Sequence, residues 1–362
     1  MERKKIAVLV SGGVDSSVAL ALLKEQGHEL VAFYLKIWLE DELSYLGTCP
    51  WQQDLAFVQG VCLKLDVPLQ IISMQQKYHD VVVSYLLQEV QQGRTPNPDI
   101  LCNQQIKFGA FYDCIDASFD YVATGHYAQV EHTASGSVLK KGKDPVKDQS
   151  YFLALLSQQQ LKRALFPIGS YEKKQVRALA QKYNLPTKDR KDSQGICFLG
   201  KFSFADFLKA HLGIVPGPIV EFESGMQLGV HQGFWLFTIG QRQGLGLSGG
   251  PWYVVKKDAV NNIVFVSRSY EQVGEHKRGM LVKDFNFLSL KQDKKIFFLQ
   301  PRELDVRFRH GPAVFKSQVF LEDECIKIVL KQPSKQGIAA GQFAVLYDGD
   351  VCLGGGQIDA AF

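Results

Sequence analysis

The heptapeptide SGGVDSS, residues 11–17, combines the residue types that bind a phosphate group. It follows the apolar run KIAVLV and precedes VALALL, so it lies where a predicted strand passes into a helix. Gly12 and Gly13 let the backbone approach an anion, while helix N-terminal amides and serine hydroxyls supply hydrogen-bond donors. The Gly-Lys-Ser/Thr ending of a Walker A loop is missing. We predict a different phosphate site, in which Asp15 holds Mg2+; the alternative is a polar turn whose Asp or Ser caps the helix.

Two cysteines lie where packing does not explain them. The chain has seven cysteines and no CxxC pair, which argues against a disulfide framework and a zinc finger. Helical or strand-like patterns predict core packing for four of them: Cys62, Cys114, Cys325 and Cys352. Cys49 has no assignable face. Cys102 and Cys197 fall in the Pro- and Gly-containing stretches TPNPDILCN and KDSQGICFLG, so both require a chemical explanation.

The prolines of TPNPDILCN predict a loop that is neither helix nor strand. Asn103 then reads as the cap of a following helix, and the positive end of that helix would favour a thiolate at Cys102. Asp99 either carries chemistry or only closes the Pro-Asn-Pro turn.

Charge is distributed unevenly along the chain. Residues 1–139 carry nine basic and sixteen acidic side chains, residues 140–191 thirteen and four, and the remainder nineteen and seventeen. The middle block predicts a polyanion-binding surface, with a solvated face as the alternative.

The elements that must position these residues change in type along the chain. In the first half, the strand-like runs KIAVLV, LVAFYLKIW, PLQIISM and DYVATGHY alternate with helical patterns, which predicts an α/β domain with a parallel sheet and helices on both faces. After a helix capped by Ser203, short alternating runs and glycines dominate. We predict three domains: a nucleotide-binding catalytic domain at 1–203, a small β-rich domain at 204–272, and a C-terminal β-barrel at 273–362.

Composition excludes several classes of protein. With 362 residues, 46% of them hydrophobic and 22% charged, the chain can bury a large core. It contains no run of eighteen apolar residues, so we expect no membrane span and a cytoplasmic location. The string GLGLSG, residues 244–249, fits a dinucleotide pattern only by letter, because no helical pattern follows it.

Several motifs in one order resemble a known family. SGGVDSS resembles the PP-loop of the N-type ATP pyrophosphatases, while TPNPDILCNQQIKFG, ATGHYA, KDQSYFL, DSQGICF and TIGQRQGLG resemble the tRNA-specific 2-thiouridylases of bacteria. The resemblance covers nearly the whole chain. It implies that ATP adenylates the C2 oxygen of the wobble uridine, and that sulfur from a cysteine persulfide then replaces this oxygen with release of AMP and pyrophosphate.

The resemblance also implies roles for single residues. Cys197 would carry the persulfide, Cys102 would be the nucleophile that resolves it, and Asn97, Pro98 and Asp99 would contact the target base. The implied ATP-binding residues are Leu9, Val10, Ser11, Gly12, Gly13, Val14, Asp15, Ser16, Leu35 and Gly125. The implied tRNA-contacting residues are His126, Lys147, Asp148, Gln149, Arg307, Phe308 and Gln342. His126 could instead be satisfied locally at a strand end. The implied partners are the anticodon arm of tRNA and a cysteine desulfurase or sulfur-relay protein.

Three other functions stay open at this point. A PP-loop amidotransferase or ligase would deliver an amine and would not need the two cysteines. A thiolating enzyme could use Asp99, Cys102 and Cys197 to hold an iron–sulfur cluster. A nucleotide-sensing RNA-binding protein would bind ATP without releasing AMP.

Overall fold

The computed structural model describes residues 2–37, 51–192, 203–269, 277–288, 293–334 and 337–362. Cys49 and Cys197 lie outside these ranges, so the predicted role of Cys197 concerns a residue that the structure does not describe. Within the described part of the chain, no helix is long and apolar enough to cross a bilayer.

The first half forms the predicted parallel sheet. Its order is β3 (Leu69–Ser73), β2 (Glu29–Lys36), β1 (Lys5–Leu9), β4 (Tyr121–Ala123) and β7 (Ala164–Leu165), and all neighbours are parallel. The helices of this half are α1 (Val14–Glu25), α2 (Trp51–Leu65), α3 (Gln75–Tyr78), α4 (Ser84–Gln91), α5 (Pro98–Leu101), α6 (Gln158–Lys162) and α7 (Lys173–Lys182). π-Helical turns at His79–Val83 and Cys102–Lys107 join or extend them, and 3-10 turns lie at Ala110–Cys114 and Ser150–Leu153.

Alternation along the strands explains why helices cover both faces. Ile6 and Val8 point into one hydrophobic cluster with α2, and Ala7 and Leu9 point into another with the π-helical turns. In β1, which is the central strand, all four side chains from Ile6 to Leu9 are therefore buried, as is usual for a parallel strand covered on both faces.

One hairpin of the first half was not predicted. Strands β5 (Ala128–Thr133) and β6 (Gly136–Lys141) pair with each other. Strand β6 also pairs, through Lys140 and Val351, with β17 (Val351–Ala361) of the C-terminal region. The parallel-sheet domain is thereby joined to the barrel through backbone as well as side chains.

The central region is small and β-rich. After α8 (Phe204–Leu212), whose cap Ser203 accepts the Asp206 amide at 3.0 Å, come β8 (Gly217–Glu221), β9 (Gln227–His231), a 3-10 turn at Phe234–Leu236, β10 (Tyr253–Asp258) and β11 (Ile263–Ser267). They form one sheet in the order β10-β11-β8-β9. GLGLSG lies in the turns before β10, so the element that follows it is a strand and not a helix.

The C-terminal region is a closed barrel, as predicted. Its strands are β12 (Gly279–Phe287), β13 (Arg302–Arg307), β14 (Phe315–Glu322), β15 (Cys325–Leu330), β16 (Phe343–Asp348) and β17 (Val351–Ala361), with α9 (Lys294–Phe297) between the first two. The order β12-β15-β14-β13-β16-β17 closes because β12 also pairs with β17. We propose the limits 1–203, 204–272 and 273–362 as the domain division.

Candidate active site

The loop between β1 and α1 is built mainly from its own residues. Gly13 takes the N-cap position of α1, so no side chain caps this helix. The Ser16 hydroxyl accepts the Ser11 amide at 3.2 Å, and the Ser17 hydroxyl donates to the Gly13 carbonyl at 2.8 Å. The alternative that Asp15 or a serine only caps the helix is therefore wrong, and the first amides of a twelve-residue helix remain available to an anion.

Two glycines allow other backbone to lie directly against this loop. Gly12 has φ +76°, and a Cβ there would be 2.6 Å from the Asp54 carbonyl oxygen. A Cβ on Gly125, which follows β4, would be 2.6 Å from the Ser16 amide nitrogen. Only glycine fits either position without displacing backbone. This close-packed loop meets the geometric requirement of a phosphate cradle at the carboxyl edge of a parallel sheet.

Asp15 is held by two side chains from outside the loop. Lys173 Nζ lies 2.8 Å from each of its carboxylate oxygens, and the Tyr127 hydroxyl donates to Oδ1 at 2.8 Å. Burial, and then the negative charge of Asp15, raise the pKa of Tyr127, which keeps the phenol protonated as the donor. A cation bound by Asp15 would have to replace or share these contacts.

A second carboxylate links the loop to the chain that leads toward Cys197. Asp192 accepts Lys173 at 2.9 Å, Lys147 at 2.9 Å and Arg177 at 2.6 Å. Burial opposes ionisation of Asp192, but the hydrogen bonds from Lys173 and Lys147 outweigh it and lower its pKa to about 2. The loop and residue 192 therefore share one ionic network through Lys173.

Arg190 supports the loop from the other side. It donates to the Gly12 carbonyl at 2.6 Å and to Asp54 at 2.7 Å. The basic block of residues 140–191 is therefore not simply a face for polyanions, because Arg190, Arg177, Lys147 and Lys173 are used inside the protein. The sequence signal for these internal ion pairs is the presence of Asp15, Asp54 and Asp192, whose carboxylates need basic partners when they are partly buried.

The ends of β2 and β4 place further predicted residues at the same edge. Leu35 is half-buried and packs on the cluster that contains Leu9 and Cys102. His126 Nδ1 lies 2.7 Å from the Thr124 hydroxyl, and burial followed by the nearby Lys107 lowers the His126 pKa well below its ordinary value. His126 is therefore neutral and locally satisfied, as the alternative interpretation held, although its contact with tRNA stays untested.

The stretch around Cys102 differs from the sequence expectation. α5 begins at Pro98, with Asn97 as its N-cap, and Cys102 opens a π-helical turn that continues it. The predicted loop and the cap at Asn103 are both wrong, because proline fits the first helical position and Asn103 is buried, bonding the Phe152 carbonyl at 3.1 Å. Cys102 is only 1% exposed and does not lie at a helix N-terminus, so the helix-end argument for its thiolate fails.

The residues before Cys102 lie close to groups of the barrel. Asn97 hydrogen-bonds Tyr85 through its backbone and Tyr151 through its side chain. Asp99 is near His310 of the barrel, whose pKa is lowered by partial burial and Arg307 and raised in part by Asp99. The His310 ring lies 4.6 Å from that of Phe152. Sequence reasoning did not select His310, whose only signal is its place after VRFR.

Three predicted tRNA-contacting side chains lie beneath the surface. Asp148 (2% exposed) and Arg307 (3%) form an ion pair between the first domain and the barrel, and Phe308 is in the barrel core. Asp148 also accepts the Gly142 amide at 2.7 Å and the Ser150 hydroxyl at 3.0 Å. All three side chains are buried within the protein in this structure, and their contact with tRNA stays a prediction.

Apart from His126, three predicted contacts remain, and all three bond within the protein. Lys147 pairs with Asp192 at 2.9 Å. Gln149 accepts the Tyr127 amide at 2.9 Å. Gln342 donates to the carbonyls of Thr95 at 3.1 Å and Pro96 at 3.2 Å.

Of the four cysteines assigned to packing, Cys62 and Cys352 are buried, whereas Cys325 is half-buried and Cys114 is exposed, so the helical pattern misplaced Cys114. No group of three or more His, Cys, Asp or Glu side chains is arranged to hold a metal in the described part of the chain. The iron–sulfur alternative needs Cys197 and is not tested.

Comparison with known proteins matches the chain over almost its whole length. Family descriptions match in order: a tRNA methyl transferase HUP domain at residues 4–201, a tRNA methyl transferase PRC-barrel domain at 205–268, and an aminomethyltransferase beta-barrel domain at 277–358. The tRNA-specific 2-thiouridylase MnmA of Parabacteroides distasonis is 42% identical over 98% of both chains. The protein of the same name from Porphyromonas gingivalis is 41% identical over 98% of both chains.

The chain belongs to the tRNA-specific 2-thiouridylase family. The phosphate-type loop and the Cys102 segment lie toward one edge of the sheet. Gly125 packs against Ser16 of the loop, and the next residue, His126, is close to Lys107, which donates to Asn103 beside Cys102 at 3.0 Å. The family descriptions contain the words methyl transferase, whereas the relatives that match almost the whole chain are named as thiouridylases. The activity that these matches support is 2-thiolation of tRNA uridine.

Proposed function

We propose that this protein uses ATP to exchange the C2 oxygen of the wobble uridine of tRNA for sulfur. The proposal rests on membership of the 2-thiouridylase family and on the joining, at one sheet edge, of a phosphate-type loop with a segment that carries a carboxylate and a thiol. The adjacency of these two parts is the observation that carries it, because adenylation and sulfur transfer act on the same carbon atom.

In the first step, the C2 oxygen of the uracil attacks the α-phosphorus of ATP, and pyrophosphate leaves. Residues 11–17 would hold the β- and γ-phosphates through backbone amides and hydroxyls, leaving the α-phosphorus open to attack. Asp15 would hold Mg2+, which neutralises phosphate charge. The uridine must leave its base stack to reach the site, and Asn97, Pro98 and Asp99 would contact it there.

In the second step, the outer sulfur of a Cys197 persulfide attacks C2, and AMP leaves with the original oxygen. The base is then joined to Cys197 through a disulfide. The Cys102 thiolate attacks the Cys197 sulfur, which releases the thiolated base and forms a Cys102–Cys197 disulfide. An external thiol must reduce this disulfide, and a cysteine desulfurase or sulfur-relay protein must supply the next persulfide.

Burial of Cys102 fits this order of events. A thiol that is 1% exposed is protected from oxidants and from premature attack until the base is bound. The proposal therefore requires the Cys102 segment to open or shift when tRNA binds.

The test combines the protein, ATP, Mg2+, a cysteine desulfurase with L-cysteine as the persulfide source, and unmodified tRNA, followed by nucleoside mass spectrometry and product analysis. We expect 2-thiouridine, AMP and pyrophosphate. Methylated uridine, or ADP and orthophosphate, would contradict the proposal.

A further inference from the structure

The barrel is hydrogen-bonded to Thr95 and Pro96, just before the start of α5. The Thr95 amide donates to the Ala340 carbonyl at 2.8 Å, and Gln342 returns two hydrogen bonds to the carbonyls of Thr95 and Pro96. Gly341, with φ +90°, lies so close that a Cβ there would be 2.8 Å from the Thr95 nitrogen. Contacts between residues about 245 apart in sequence therefore fix the backbone that leads into Asn97.

A charged network around Arg94, the residue before Thr95, adds further contacts with the barrel. Arg94 donates to Glu89 at 2.9 Å, to Asp359 of β17 at 3.3 Å and to the Ile358 carbonyl at 3.2 Å. Gln357 of β17 donates to Glu89 at 2.8 Å. The side chains of Arg94 and Glu89 are only 17% and 12% exposed, so this network is shielded from solvent more than a surface ion pair is.

Asn97, the residue before α5, is also connected to the barrel. It bonds Tyr151, whose hydroxyl donates to the Phe343 carbonyl at the start of β16 at 3.0 Å. It also bonds Tyr85, which lies 3.5 Å from Gln357 Nε2. Residues 94–97 are therefore tied to β16, to β17 and to the turn before β16.

α5 itself cannot fix the position of Cys102. It contains four residues, and a helix this short has no stability of its own in water. Its place must come from what holds its ends and covers its face. The barrel holds the start, and the cluster around Ile100 and Ile106 covers the face.

We propose that the C-terminal barrel positions the Cys102 segment, residues 94–102. Arg94 and Gln342 are the positioning residues, because their contacts with the barrel fix the backbone that carries Asn97, Asp99 and Cys102. The barrel would thereby set the geometry of base binding and sulfur resolution as well as any contact it makes with tRNA. The catalytic meaning of this positioning rests on the proposed function, but the positioning itself does not.

The test measures how fast iodoacetamide alkylates individual cysteines in the folded protein without tRNA, by peptide mass mapping. The variants are Arg94→Gln and Gln342→Ala. Lys283→Gln is the matched control, because Lys283 pairs with the same Asp359 at 3.0 Å but does not contact residues 94–97. Two other buried cysteines report global unfolding within the same sample: Cys62 in a separate hydrophobic cluster, and Cys352 at the opposite end of β17 from Ile358 and Asp359.

We expect alkylation of Cys102 to rise about tenfold in both variants, since losing a charge-assisted or doubled hydrogen bond favours local opening by about that factor. Cys62 and Cys352 should react as in wild type, and Lys283→Gln should leave all three unchanged. Unchanged alkylation of Cys102, or an equal rise at all three cysteines, would overturn the proposal.

A second readout separates positioning from tRNA contact. In single-turnover thiolation with saturating tRNA, both variants should lose about tenfold in rate while the tRNA dissociation constant stays within about twofold. If Gln342 acts only by contacting tRNA, its variant will weaken tRNA binding and leave alkylation of Cys102 unchanged, which contradicts the positioning role. If the proposed function itself fails, no variant forms 2-thiouridine but the alkylation result still stands.

Discussion

The phosphate-type loop and the Cys102 segment lie at the same edge of the sheet but obtain their shapes in different ways. The turn of residues 11–17 is made by hydrogen bonds among Ser11, Gly13, Ser16 and Ser17, and Lys173, Tyr127 and Arg190 support it from outside. Residues 94–102 are fixed by Gln342, Asp359 and the carbonyls of the barrel. A locally determined loop can be recognised from seven letters, whereas a segment held by distant strands cannot.

The largest effect should come from Gly12→Ala, which tests the local loop. The new Cβ would lie 2.6 Å from the Asp54 carbonyl oxygen at φ +76°. We expect ATP-dependent pyrophosphate release to fall at least about 100-fold. Gly27→Ala is the matched control, because Gly27 has φ +81° but nothing within 4 Å, so its cost should be limited to stability. Equal loss of activity in both variants would contradict a tightly packed phosphate cradle.

Lys173→Met should have the next largest effect, because it removes the cation shared by Asp15 and Asp192. We expect pyrophosphate release to fall about 10- to 100-fold, as two carboxylates lose a charge-assisted partner near the phosphates. Lys174→Met is the control, since Lys174 is exposed and pairs with Glu172. A wild-type rate for Lys173→Met, measured by a pyrophosphate-coupled assay, would remove Lys173 from the site.

Tyr151→Phe tests the segment that is held from a distance. It removes the hydroxyl that joins Asn97 to the Phe343 carbonyl, and we expect about a tenfold slower thiolation with an unchanged rate of pyrophosphate release. Tyr183→Phe, which loses only a hydrogen bond to exposed Glu25, should behave as wild type. An equal fall of both rates in Tyr151→Phe would mean that the two regions are not separable.

The smallest effect concerns pH. The folded-state pKa of Asp192 is lowered from 3.8 to about 2, so its contribution to stability is present above about pH 4 and is lost as pH falls toward 2. Acid unfolding followed by circular dichroism should show Asp192→Asn less stable by about 1 to 2 kcal/mol at pH 5. The difference should vanish near pH 2, and a constant difference across this range would contradict the pairing.

The sequence was informative where pattern and structure are both local. Strand β1, helix α1 ending before Gly27, the Ser203 cap and the barrel follow from period, cap and turn residues. The hairpin β5–β6 was not identified although its two strands are adjacent in sequence. The pairing of β6 with β17 could not be predicted, because β17 lies more than 200 residues away. The start of α5 was misassigned because Pro98 was read as a breaker, although proline is compatible with the first turn of a helix.

The site residues also fall into those that a local motif identifies and those that only the folded structure reveals. The PP-loop residues could be chosen from the heptapeptide, but Lys173, Arg190 and Arg94 could not, since a lysine or arginine carries no sign of the distant carboxylate it will meet. Asp148 and Arg307 were chosen from the resemblance as tRNA-contacting residues, and in the structure they pair with each other between two domains. A motif identifies a position and does not by itself state which way the side chain points.

The most direct test of the account is one turnover of protein that a cysteine desulfurase has first loaded with the Cys197 persulfide, with ATP, Mg2+ and tRNA and without reductant, followed by peptide and nucleoside mass spectrometry. For wild type, the account predicts one equivalent of 2-thiouridine and a peptide in which Cys102 is joined to Cys197. For Cys102→Ser, it predicts AMP and pyrophosphate release with tRNA trapped on Cys197 through the base. Repeated turnover by Cys102→Ser without added thiol would contradict the assignment of Cys102 as the resolving nucleophile.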